Sequence, residues 1–90
     1  MDARTFCRRW FKSTPEDEKE RGYREKCIEL LSKVLKVKPN SIHRWGSGMN
    51  LTTPPQHQAT LAYADILREL IESTDANTDI LDLVKAKMDE

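Results

Sequence analysis

Between its prolines and glycines the chain repeats apolar residues at intervals of three and four rather than two, a spacing that suits helices and leaves no face for a strand. Four Pro and three Gly supply the breaks. The pattern predicts an all-α fold of about five helices. A first helix over 3–12 groups Phe6, Cys7 and Trp10 on one side, with Arg4, Arg8, Arg9 and Lys12 around the rest. Ser13-Thr14-Pro15-Glu16-Asp17 has a capping hydroxyl, a first-turn proline and early acids, and so marks a new helix start, with Gly22 the weak link in the run that follows. From Tyr23, the residues Cys27, Ile28, Leu30, Leu31, Val34 and Leu35 form a broad core-facing stripe that should stop near Lys36.

After that stop, Pro39 suits the first turn of another short helix carrying Ile42 and Trp45, ended by Gly46 and Gly48. Residues 49–55 read as a loop. Thr53-Pro54-Pro55 then launches a long helix on which Ala59, Tyr63, Ile66, Leu67, Leu70 and Ile71 share one side. A break over 73–78 precedes a last helix over 78–88, with Ile80, Leu81, Val84 and Met88 in line.

Ninety residues allow one small domain, and residues 1–90 are read as such. Fifteen bases balance fifteen acids, but unevenly: residues 1–50 hold twelve basic and seven acidic side chains, residues 51–90 three and eight. Charge asymmetry of this kind directs attention to nucleic acid, with the basic half as the contact. No run approaches the roughly 18 apolar residues of a membrane span, and the start, MDARTFCRRWFK, has no apolar signal core. A cytoplasmic location is expected. Cys7 and Cys27 have neither a disulfide-framework nor a zinc-finger spacing, and are expected to be reduced, partly buried thiols. A bridge between them, or a joint Cys/His metal site, is the alternative.

The stretch LSKVLKVKPNSIHRWGSG, residues 31–48, concentrates the chemistry. Leu31 and Leu35 lie one turn apart, Val37 sits in a tight connection, and Ile42 and Trp45 share a face of the next helix. Those five can form one core between two steeply crossing helices, with Ser32 small at the close approach. Lys38, Pro39, Asn40, Ser41, His43, Arg44 and Ser47 are left on the outward face and leading end of the second helix.

In that spacing the stretch resembles the helix-turn-helix of Cro/repressor-type (XRE-like) regulators. The resemblance covers about 18 residues closely, spans a helix-turn-helix over 24–48 in character, and is faint elsewhere. Family members usually have Ala at the position of Ser32, and Gly in the turn at that of Lys36. A left-handed Lys36 would cost about 1 kcal/mol. The resemblance implies a recognition helix over 39–45 in the major groove of double-stranded DNA. On that reading Arg44 bridges guanine O6 and N7, Asn40 pairs with adenine, and Ser41 and His43 bond bases or phosphates. Lys33, Lys36 and Lys38 are point charges suited to phosphates. Residues 24–47 carry six bases against two acids, which adds sequence-independent attraction.

The expected function is therefore a DNA-binding transcriptional regulator acting as a homodimer, since one small domain offers one recognition helix and symmetric pairing reads two half-sites. Helices over 54–90 are the candidate dimerisation region: Tyr63, Leu67 and Leu70 on one, Leu81, Val84 and Met88 on the other, unless both fold back on the N-terminal helices. The alternative is a non-enzymatic protein-interaction module on the same scaffold. No nucleophile elbow, P-loop or GxGxxG occurs, and paired carboxylates are expected only on solvent faces, so neither catalysis, a cofactor nor a small-molecule substrate is indicated. Trp45 is assigned to the core rather than to base stacking, and His57 to an exposed first turn. The cluster Arg8-Arg9-Trp10-Phe11-Lys12 is read as core aromatics with solvated bases, the alternative being a further nucleic-acid contact. Glu20 and Arg24 are spaced for an ion pair along a helix.

Overall fold

The structure, a computed structural model, describes residues 1–73 and 86–88, which contain helices and no strand. Helix α1 (Ala3–Phe11) begins where the Asp2 carboxylate accepts the Thr5 N–H at 2.8 Å, and ends on Lys12 in the left-handed conformation. The start signal at 13–17 is used, because Thr14 and Asp17 cap each other's backbone N–H groups at 2.8 and 3.3 Å. It launches only one 3-10 turn, Asp17–Lys19. Gly22 follows at φ 88°, a conformation open to glycine, and breaks the run before α2 (Tyr23–Leu35). Helix α3 (Pro39–His43) and helix α4 (Pro55–Ser73) complete the order.

Phe6 and Cys7 of α1, Cys27, Ile28 and Leu31 of α2, Ile42 of α3 and Leu61 of α4 are fully buried in one core. Trp10 packs against it beside Phe6, with ring centroids 5.7 Å apart. Both cysteines are free and buried. Contact with Cys27 and burial push the Cys7 thiol far above its ordinary range, so it stays protonated and inert.

Helix α4 docks through its ionic face, not its apolar stripe. Leu61, Asp65 and Arg68 are buried, whereas Tyr63, Ile66, Leu67 and Leu70 are 74, 53, 52 and 60% exposed. The α4 apolar stripe thus faces outward, and an ionic face turns in. Asp65 receives the Arg9 guanidinium of α1 at 2.9 Å and Arg68 at 3.0 Å, and Arg68 also bonds Glu72. A second ionic cluster forms at Glu18, whose nearly buried carboxylate joins Arg4 and Arg8 at 2.8 and 2.9 Å. Desolvation opposes ionisation of Asp65, but the hydrogen bonds from Arg9 and Arg68 outweigh it and hold the carboxyl below its usual range. Of the expected C-terminal helix, Met88 reaches a groove between α1 and α2; Ile80, Leu81 and Val84 lie outside the described residues.

Candidate nucleic-acid interface

Three residues join α2 to α3. Lys36 caps α2 at φ 57°, ψ 40°, so the turn keeps the left-handed geometry although it lacks glycine. Lys38 is extended and Pro39 opens α3, its missing N–H falling where a helix has no internal partner. Ser32 does more than leave room: its hydroxyl donates to the Val37 carbonyl at 2.7 Å, tying the turn back to α2. Leu31 and Ile42 are fully buried at this joint, with Leu35, Val37 and Trp45 partly buried against them.

Helix α3 is shorter than the 39–45 expected. The Trp45 N–H bonds the Ile42 carbonyl at 3.0 Å, a tightened last turn that makes Arg44 the C-cap. Beyond it the chain folds over itself. A Cβ on Gly46 would lie 1.8 Å from the Asn50 carbonyl oxygen, so only glycine permits this approach. Arg24 of α2 holds the same segment, donating to the carbonyls of Gly46 at 3.0 Å, His43 at 3.3 Å and Gly48. Arg24 therefore does not pair with Glu20 as its spacing suggested. A guanidinium with five donors suits a bend whose carbonyls have no helix to bond them. Trp45 is half-buried, its ring stacked on His57 at 5.7 Å, which ties the end of α3 to the first turn of α4.

Lys36, Lys38, Pro39, Asn40, Ser41, Arg44 and Ser47 are all exposed along this joint and the bend after it. Lys33 and His43 are half-buried and engaged with acids of α2: Lys33 with Glu29 at 3.1 Å and His43 Nε2 with Glu25 at 3.5 Å. Lys36, Lys38 and Arg44 make no ion pair among the described residues. The N-terminal bases differ. Arg4 and Arg8 converge on Glu18, Arg9 on Asp65 and Glu69, and Lys12 lies 4.0 Å from Glu72. Hydrogen bonds from Arg4, aided by Arg8, hold the Glu18 carboxyl low despite its burial. The positive charge of α1 is thus largely met by acids, much of it by α4. That of the α2–α3 joint faces solvent.

Sequence reasoning read Gly46 as a helix end and Arg24 as a partner of Glu20, and missed that both shape the joint. The available signal was a glycine after a tryptophan and an arginine in the first turn of α2. Neither announces the fold-over on Asn50 or the reach of Arg24 across some twenty residues. Comparisons with protein-family models, curated proteins and solved structures returned no match.

Proposed function

We propose that this protein is a DNA-binding regulator that presents the α2–α3 joint to the major groove, in the manner of the Cro/repressor-type proteins its sequence resembles. One observation carries the reading: Lys36, Lys38 and Arg44 stand exposed and, among the described residues, without acidic partners around a helix whose apolar side is buried, while α1's bases are paired with acids. Lys36 and Lys38 are point charges for phosphates, and Arg44, Asn40 and Ser41 carry the donor patterns that base edges select. Lys33 and His43 act at the margin, since each must leave a carboxylate to reach DNA. A pair of such chains would read two half-sites.

Selection from a random duplex pool with the purified protein tests this. Enrichment of a sequence motif whose affinity falls in Arg44→Ala supports it. No enrichment at low salt, where phosphate attraction is strongest, overturns it in favour of a protein-interaction role.

A further inference from the structure

Among the described residues the half-buried guanidinium of Arg24 makes no ion pair. Its contacts are the carbonyls of His43, Gly46 and Gly48 and, at 3.5 Å, the Nδ1 of the His43 ring. An arginine side chain only donates, so the Nδ1 that it faces serves as an acceptor and bears no proton. The other ring nitrogen, Nε2, lies 3.5 Å from the Glu25 carboxylate, which only accepts, so the ring proton sits there. One neutral form of the imidazole satisfies both neighbours. Arg24 and Glu25 are adjacent on α2 and point about 100° apart, so they reach the ring from two sides instead of pairing with each other.

We propose that His43 is a positioning residue: its ring, oriented by Glu25, supplies the acceptor that aims the Arg24 guanidinium at the carbonyls beyond α3, and so fixes where α3 ends and Arg44 begins. His43 is the last residue of α3, and Arg44 is its C-cap. One guanidinium nitrogen of Arg24 serves the Gly46 carbonyl at 3.0 Å, the His43 carbonyl at 3.3 Å and the His43 Nδ1 at 3.5 Å, while the other serves the Gly48 carbonyl. A ring turned over, or protonated on both nitrogens, would set an N–H against a group that only donates, and the guanidinium would lose its side-chain acceptor. With both nitrogens engaged inside the protein, the ring serves DNA binding by holding the place of Arg44 rather than by leaving Glu25 to touch the duplex. That bearing on DNA rests on the function proposed above; the positioning of Arg24 does not.

Nitrogen NMR of the full chain near neutral pH should show His43 in one form, with Nδ1 bare and the proton on Nε2, and the two Arg24 Nη signals apart, because a guanidinium held at both ends rotates slowly. A proton on Nδ1 overturns the proposal without any variant. His43→Phe keeps a ring but offers no acceptor, and should merge the Arg24 signals; His43→Asn, whose Oδ1 stands near the place of Nδ1, should keep them apart. Signals that stay apart in His43→Phe, or merge in His43→Asn, also overturn it. Against a duplex selected by the unaltered protein, His43→Phe should bind about tenfold more weakly or worse, the scale of one displaced base contact, and His43→Asn should recover most of that loss. Equal loss in both variants makes the ring itself a DNA contact and overturns the proposal. If the unaltered chain enriches no duplex, the DNA reading falls, and the nitrogen spectra still decide whether His43 positions Arg24.

Discussion

Lys36 holds a left-handed backbone at the joint of α2 and α3, where a side chain brings Cβ close to the following carbonyl. Lys36→Gly should therefore raise stability by about 0.5–1 kcal/mol in denaturant titration, the gain being reduced by the greater freedom of glycine in the unfolded chain. If Lys36 also contacts a phosphate, the same variant lowers the salt slope of DNA binding by about 0.9. A structural lysine alone would leave that slope unchanged. Arg44 is exposed and has no ion pair among the described residues, so Arg44→Ala should leave the thermal midpoint in place and, on the proposed DNA reading, remove about 1–3 kcal/mol of specific affinity. Trp45 is half-buried rather than enclosed. Trp45→Ala should cost less than the roughly 3–5 kcal/mol of a core tryptophan, and a larger loss in unfolding experiments would mean that its stack on His57 carries more than its area suggests.

Helix α4 is held to α1 by ions as well as by Leu61. Asp65 is 4% exposed and Arg68 7%, and removing one partner leaves the other buried without its counter-charge. Asp65→Ala should cost about 2–3 kcal/mol, moderated because Arg68 keeps Glu72 and Arg9 keeps Glu69. The Asp65 carboxyl titrates lower in the folded chain than unfolded, so its contribution is complete above the ordinary aspartate value near 3.9 and is lost as pH falls through the folded one. Glu18, also lowered, adds to the same acid loss. Asp65→Asn should flatten the acid side of the stability profile; an unchanged profile would assign acid unfolding to other carboxylates. Helix α3, at five residues, depends on Ile42, on the contact of His43 with Glu25 and on Arg24 reaching from α2.

At the scale of the whole molecule, the basic first half and acidic second half are brought together along α1 and α4, where Arg9 and Lys12 meet acids of α4, while Arg8 meets Glu18. On the proposed DNA reading, the α2–α3 joint offers Lys36 and Lys38 to phosphates. Two phosphate contacts give a salt slope of about −1.8, or about a twelve-fold loss of affinity between 50 and 200 mM. A dimer with both joints engaged doubles the slope to about −3.6. Fluorescence anisotropy across that salt range separates the two cases, and a slope far steeper than either would return the α1 arginines to the interface.

Helix type, the stop of α2 at Lys36, the start of α3 at Pro39 and the loop before α4 were legible in the sequence, because each follows from residues within a turn of one another: Pro restricts its own φ, and apolar spacing selects a helix face. The α4 stripe was legible as a stripe. Which way it faces was not, because two faces of that helix compete for the core, and the outcome depends on Arg9 lying where Asp65 and Glu69 can reach it, some sixty residues away. The shortening of α3 had the same origin, in Arg24 and in the packing of Gly46 on Asn50. Local backbone preferences are written in adjacent residues, whereas ion pairs and close backbone approaches exist only once distant segments have met.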